Sequence, residues 1–319
     1  MKFTPNRRRP WRLVWPLTAL ATLTALLVGC SVGFSGDGPM GAGVMRETVQ
    51  TGIGDGDGDG ESGGGIRLAV LRAPQPGQRR VIFVHGTPGD AAAFIDYLNT
   101  GHPRLDLWSV DRPGFGRTRP KGTVPALADQ AGVLEPLLDA PGGRKPILVG
   151  HSLGGPVVAK AAARYGDRVG GIIILAGSLD PALERIRFIQ YVGEVWPIPW
   201  LIPRWLRTAN REVFALKGEL EVLGPELRGV RAPVTVIHGT EDKLVPYENV
   251  AYMRAAFAHT PALDVVTLDG VNHFLPWNSA PVIWQAIETM AARLDDDDSK
   301  TNRGETEGIQ PAQAPGPAR

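Results

Sequence analysis

Short apolar runs alternate with longer stretches that suit helices along the middle of the chain. The short runs are Ile66–Leu71, Arg80–His85, Leu105–Val110, Pro146–Val149, Gly171–Leu175, Pro233–Ile237 and Leu263–Leu268. Several are continuous Val/Ile/Leu, as expected of strands covered on both faces. Helical stretches fall between them, at Ala91–Leu98, Pro125–Leu138, Gly155–Tyr165, Glu248–Phe257 and Pro281–Arg293. This alternation predicts an α/β domain with a mostly parallel central sheet and flanking helices. In such sheets ligands collect at the carboxyl ends of the strands, so the residues just after each run carry the functional reading.

The most informative of these junctions is Lys145–Gly155. An apolar run ends in G-x-S-x-G, and an Ala-rich helical segment follows. Strand, sharp turn and helix in that order would lift Ser152 onto a strained corner with its hydroxyl exposed. Gly150 and Gly154 suit so tight a turn because neither brings a Cβ. The same pattern recurs around Ser62, but that copy follows Gly-Asp repeats and has no strand before it. Context therefore keeps Ser152 and rejects Ser62.

Three other junctions matter. His85-Gly86-Thr87-Pro88-Gly89 follows the second run, His238–Pro246 the sixth, and Asp269–Phe274 the seventh. With Asp111-Arg112-Pro113-Gly114-Phe115-Gly116 they complete a set of five motifs: H-G-x-P-G, D-x-P-G-x-G, G-H-S-L-G-G, H-G-x-x-D-x-x-V-P and G-x-N-H-F. By this set the chain resembles the α/β-hydrolase-fold serine hydrolases, esterase- or lipase-like, over about residues 66–294. The resemblance implies that fold, with a helical lid inserted after the family's sixth strand.

It also implies roles. Ser152 would be the nucleophile and His273 its base, since the family places the base after the last strand. Asp242 would orient His273 and stabilise the imidazolium. Asp180, after the Gly171–Leu175 run, is the competing acid, because some members carry it there. His85, His151 and His238 read as packing or turn residues. The backbone N–H groups of Thr87 and Leu153 would form the oxyanion hole. Only the backbone matters for that role, so the side chains there carry little weight. Phe115 would stand near the pocket mouth. No cofactor motif or metal site is implied.

The insertion, residues 179–230, is aromatic and Pro-rich. Trp196, Trp200 and Trp205 lie close together in it, with prolines expected to break any long helix. These tryptophans are candidates for an apolar acyl pocket or a membrane-facing patch. The plainer reading is a lid packing its own aromatics on the core.

The two ends change the picture of location. Arg7, Arg8, Arg9 and Arg12 precede an apolar stretch, Leu13–Val28, that closes in Leu27-Val28-Gly29-Cys30. This resembles a bacterial lipoprotein signal over residues 1–29, which implies lipidation of Cys30 and an anchor on the extracytoplasmic side of a membrane. An uncleaved signal anchor is the competing reading. Cys30 is the chain's single cysteine, so an intramolecular disulfide is impossible. Residues 30–65 read as a Gly/Asp-rich flexible tether, and 295–319 as a disordered acidic and Pro-rich tail. Asp55–Gly60 imitates half of a calcium loop, but Ile66 stands where the bidentate Glu belongs. A net charge of +1 gives no reason to expect nucleic acid.

The expected function is therefore a membrane-anchored hydrolase of carboxylic esters acting on a small ester or lipid-like substrate. Acyltransferase, perhydrolase and carbon–carbon hydrolase chemistry remain alternatives on the same residues, since fold does not fix chemistry. A catalytically idle binding lipoprotein is the non-enzymatic alternative.

Overall fold

The computed structural model describes residues 39–53, 65–140, 142–185, 190, 191, 193, 195 and 198–307. The signal segment, Cys30, Asp55–Gly60, Ser62 and Trp196 lie outside these residues, as does the side chain of Trp200.

Eight strands form one sheet: β1 (Met45–Gln50), β2 (Arg67–Ala73), β3 (Arg79–Val84), β4 (Leu105–Val110), β5 (Ile147–His151), β6 (Gly171–Leu175), β7 (Val234–Gly239) and β8 (Leu263–Leu268). Their order is β1-β2-β4-β3-β5-β6-β7-β8, antiparallel at β1-β2 and β2-β4 and parallel elsewhere. Every residue of β3 to β7 is buried, which is why these strands read as unbroken apolar runs. Register sets the ends level: Val84 pairs with Gly150, His151 with Leu175, and Leu175 with Ile237.

The helices are α1 (Ile95–Thr100), α2 (Leu127–Gly132), α3 (Glu135–Leu138), α4 (Gly154–Tyr165), α5 (Ile198–Leu201), α6 (Arg204–Glu226), α7 (Asn249–Ala256), α8 (Leu275–Asn278) and α9 (Ala280–Glu307). Leu134, Val157, Leu216, Leu220 and Met253 draw α4, α6, α7 and the α2–α3 region onto one face of the sheet. Phe94, Tyr97, Leu98, Ile283, Ile287 and Met290 draw α1 and α9 onto the other. Ile283, Ile287, Met290 and Leu294 repeat at helical spacing, so α9 presents one continuous apolar face.

Three expectations change. The tether segment is structured at residues 45–53. There β1 pairs along its whole length with β2, Arg72 bridges to Glu47, and Thr51 Oγ1 donates to Ile66 O at 2.9 Å. The C-terminal tail does not begin at 295, because α9 runs to Glu307. The buried Arg79 guanidinium takes Asp295 and Asp298 at 2.7 and 2.8 Å, so the acidic run answers a cation set in the sheet. The prolines of the insertion also do not prevent a long helix. Pro203 stands just before α6 and Pro225 sits in its last turn, which leaves 23 residues helical. A proline costs least at a helix start, where no N–H is missed.

Candidate active site

β5 ends in a tight turn that relies on its two glycines. Ser152 has φ of 54°, in the left-handed region that costs a side-chain-bearing residue on the order of 1–2 kcal/mol. Its N–H extends the ladder to Leu175 O at 2.9 Å, and its carbonyl accepts from Gly155 N at 2.8 Å as α4 begins. A Cβ on Gly150 would overlap Gly154 O, and one on Gly154 would overlap Val84 O. Strand and helix can therefore cross this closely only with glycine at both positions. Gly86 serves the same end from β3: a Cβ there would stand 2.8 Å from Ser152 Cβ. The loop after β3 thus lies directly beside Ser152.

The loops after β7 and β8 bring Asp242 to His273. Asp242 Oδ2 accepts from His273 Nδ1 at 2.7 Å, and its Oδ1 accepts from Leu244 N and Val245 N at 2.9 and 2.8 Å. Burial alone would raise the Asp242 pKa. Hydrogen bonds from His238, His273 and the Val245 N–H, with the charge of His273, outweigh that and hold the carboxyl well below the usual carboxylate range. An ionised Asp242 fixes the proton of His273 on Nδ1 and leaves Nε2 with a free lone pair. Asp180, the competing acid, does not reach His273. Its carboxylate caps the following turn through Ala182 N, and its own N–H is held by Asn249 Oδ1.

His151 supports the same loop from beneath. Its Nε2–H donates to His273 O at 3.0 Å, with the two rings 4.8 Å apart. Burial, then the neighbouring charge of His273, push its pKa down to about 3. His151 is therefore neutral wherever Asp242 and His273 can work together.

The peptide between Gly86 and Thr87 is aimed by a cluster that the sequence pattern did not reveal. Gly86 O accepts from His85 Nδ1 at 2.6 Å and from Arg112 Nη2 at 2.8 Å. Arg112 also gives its Nε–H to His85 O and its backbone N–H to His85 Nε2. Because this peptide is planar and trans, pinning the Gly86 carbonyl on the buried side turns the Thr87 N–H the opposite way. The guanidinium is paired at 2.7 Å with Glu212 of α6, both side chains being buried, and Gln130 bridges the two. Burial, then the Arg112 charge, hold the His85 pKa well below its usual value.

Gly86, Thr87, Pro88, Ala93, His151, Ser152, Leu244, His273, Phe274 and Trp277 line one cavity of about 50 Å³. Ser152, His273 and Thr87 thus meet there, with Asp242 behind His273. Leu153 N–H stands at the start of α4, where a helix terminus favours negative charge. Phe115 does not line the cavity. It is buried, packed edge-on against His85 with Arg112 over its ring. Trp205 is half-buried and is not on the cavity wall. The apolar wall comes instead from Leu244, Phe274 and Trp277, just after β7 and β8. Their position at strand ends was the available signal. Among the described residues, no group of three or more His, Cys, Asp or Glu is placed to hold a metal ion.

Comparison with known proteins agrees with this architecture. The model of the alpha/beta hydrolase family matches residues 81–284. The chain is 26% identical over 236 residues to the pimeloyl-[acyl-carrier protein] methyl ester esterase of Yersinia enterocolitica, covering 63% of this chain and 88% of that one. It is 24% identical over 216 residues to a 2-hydroxy-6-oxononadienedioate/2-hydroxy-6-oxononatrienedioate hydrolase of Paraburkholderia phymatum, covering 54% and 74%. A 112-residue stretch is 30% identical to the dihydrolipoyllysine-residue acetyltransferase component of an acetoin cleaving system from Cupriavidus necator, but spans only 30% of that protein. Among solved structures, a bacterial membrane phospholipase A superposes with a TM-score of 0.56 at 18% identity, covering 89% of this chain and 97% of that one.

Proposed function

The chain belongs to the alpha/beta hydrolase family, and from that premise we propose that it is a serine hydrolase of carboxylic esters. One observation carries the reading: strained Ser152 shares a cavity with His273, whose Nδ1 is bound at 2.7 Å by an ionised Asp242. In the proposed reaction Ser152 Oγ attacks the ester carbonyl carbon while His273 Nε2 takes the hydroxyl proton. The carbonyl π pair moves onto oxygen, and the Thr87 and Leu153 N–H groups receive that oxyanion. The tetrahedral intermediate collapses, the C–O bond to the alcohol breaks, and His273 protonates the leaving oxygen. Water then attacks the acyl-enzyme by the same steps and frees Ser152.

The cavity supports an uncharged substrate. Among the described residues its wall holds no Lys, Arg, Asp or Glu, and Leu244, Phe274 and Trp277 supply apolar surface. Carbon–carbon bond hydrolysis is the second reading, favoured by the name of the Paraburkholderia relative. The described wall carries no cation to meet a dioate, which supports neutral esters as the first reading. We further propose that Cys30 is lipidated and that the domain works at an extracytoplasmic membrane surface. The Arg-rich segment, apolar stretch and Leu27–Cys30 sequence support this.

Release of p-nitrophenol from acetate, butyrate and decanoate esters tests the reaction. Wild-type protein is expected to turn over at least one ester, and Ser152→Ala to lose about 10⁴-fold or more in kcat. Equal turnover by Ser152→Ala would contradict the reading.

A further inference from the structure

The loop after β4 and the start of α6 bring together cations that the proposed reaction does not use. A Cβ on Gly114 would stand 2.9 Å from both Gly122 O and Thr208 Cγ2, and Thr123 Oγ1 lies 3.2 Å from Thr208 Oγ1. The loop, which carries Arg119 and Lys121, is therefore pressed against the first turns of α6, which carry Arg204 and Arg207. Arg119 and Arg204 are exposed, and Lys121 and Arg207 half-buried. Burial, then the charges of Arg119 and Arg204, push the Lys121 pKa down to about 8. Arg119 and Arg207 act on Arg204 in the same sense. Among the described residues, Arg119, Lys121 and Arg204 have no carboxylate partner; Arg119 and Lys121 bond only to carbonyls of their own loop. Asp111, whose charge reaches Lys121, is already bridged to Arg46 at 3.1 Å. Like charges gathered this way repel one another and suit an anionic partner.

The neighbouring surface says which partner. Leu201 ends α5 just before Arg204 and is 77% exposed, and Val195 is 59% exposed. Arg207 Nη1 donates to Pro199 O at 2.7 Å, which ties α5 to the cations. Apolar side chains beside arginines suit a bilayer interface, where the first enter the acyl boundary and the second meet phosphates. The patch also lies at the cavity end of the sheet. Arg67 N, at the start of β2, donates to Arg119 O at 2.7 Å, and β2 runs antiparallel to β4. The chain enters at the other end, where Asn99 Nδ2 donates to Pro39 O at 3.1 Å and Met45 pairs with Arg72. From Pro39 back to Cys30 the chain can span about 30 Å, and a six-residue strand only about 20 Å. An anchor at Cys30 is therefore compatible with the cation face resting on the bilayer.

We propose that Arg119, Lys121, Arg204 and Arg207, with Leu201 beside them, form a docking surface for an anionic lipid bilayer. The inference rests on the reading that the domain works at a membrane surface. Docking there brings the cavity end of the sheet to the lipid, a source of uncharged esters.

The test reconstitutes the full chain into vesicles of phosphatidylcholine alone or with about one-third phosphatidylglycerol. Three readouts are taken: flotation with the vesicles, acetylation of Lys121 relative to the exposed Lys300 by mass spectrometry, and turnover of dissolved p-nitrophenyl butyrate. Phosphatidylglycerol is expected to cut Lys121 acetylation about ten-fold, and NaCl at about 0.5 M to restore it. Two cations are worth about 30-fold in affinity for an anionic surface, so Arg119→Gln with Arg204→Gln is expected to lose most of the protection. Its turnover is expected to stay within about two-fold of wild type. Loss of turnover would mark misfolding, and the salt dependence of wild type then decides. Equal Lys121 acetylation in both vesicles, with the chain floating in both, would overturn this proposal alone. So would protection that neither salt nor the double variant relieves. Protection by inorganic phosphate but not by phosphatidylglycerol would assign the cations to a soluble anion and overturn it too. A chain that floats with neither vesicle would remove the membrane reading as well.

Discussion

The floor of the cavity and the 179–230 insertion are held by different kinds of constraint. At the floor, Ser152 sits between two glycines that no side chain can replace, and Asp242 is bound by two backbone N–H groups of its own turn. Most of these restraints are local. The insertion reaches the site through a long-range contact, the buried pair of Arg112 and Glu212, and Arg112 also aims the Gly86 carbonyl. Helix α6 then packs Leu216, Leu220 and Leu223 into the core. The floor is built for geometry, and the insertion for attachment. Changes at the floor should alter rate, whereas changes at the attachment should alter stability first.

The largest effect is expected at the floor. Asp242→Asn keeps an acceptor for Leu244 N and Val245 N but no longer fixes the proton of His273 on Nδ1. Its kcat is expected to fall about 10⁴-fold, and the melting temperature to fall as the stabilisation of the ionised carboxylate is lost. Steady-state ester assays with thermal melts check both halves. At the attachment, Glu212→Gln leaves a buried guanidinium without its counter-charge and should cost about 3–5 kcal/mol in urea unfolding. The double variant Arg112→Met, Glu212→Leu sharpens the contrast. Burying two apolar groups should restore part of that stability, while kcat should fall because Gly86 O has lost the Arg112 donor.

Acid should act on the floor. His151 in the fold titrates at about 3 against an ordinary value of 6.5, and His85 is likewise depressed. The unfolded chain then binds more protons than the folded one below about pH 6.5. For His151 the contribution is complete above that pH and is lost as pH falls toward 3, by about 1.4 kcal/mol per pH unit, and His85 acts in the same direction. The depressed Asp242 acts in the same direction at lower pH: its contribution is present above its ordinary value of 3.8 and is lost as pH falls further. Urea unfolding between pH 4 and 7 should show this slope, reduced in His151→Asn. The smallest effect is expected in the insertion. Trp205 stands off the cavity wall, so Trp205→Ala should leave acetate and decanoate turnover within about two-fold of wild type; selective slowing of decanoate would return Trp205 to an acyl-binding role.

The same difference governs what could be read in the sequence. The turn at Ser152 was legible because strand, glycines and helix are neighbours in the chain, and the residues after β7 and β8 were legible by their place at strand ends. The strand β1 was hidden among Gly and Asp because its pairing partner in β2 lies some twenty residues away. The extension of α9 past Leu294 was hidden because its acidic run answers Arg79, more than two hundred residues earlier. Arg112 looked like part of a turn motif. Its work depends on Glu212, 100 residues on, and no local pattern marks such a pair. Phe115 and Trp205 were chosen for being aromatic, yet Leu244, Phe274 and Trp277 form the wall because their loops follow strands whose ends face the cavity.

The central claim is that Ser152 is a nucleophile activated by His273. The most direct measurement is reaction of the intact protein with a fluorophosphonate, followed by mass spectrometry of its peptides. The account predicts one adduct, on the peptide containing Ser152, that is absent in Ser152→Ala and formed at least a hundred-fold more slowly in His273→Ala. An unmodified Ser152 in wild-type protein, or an adduct that persists in Ser152→Ala, would contradict it.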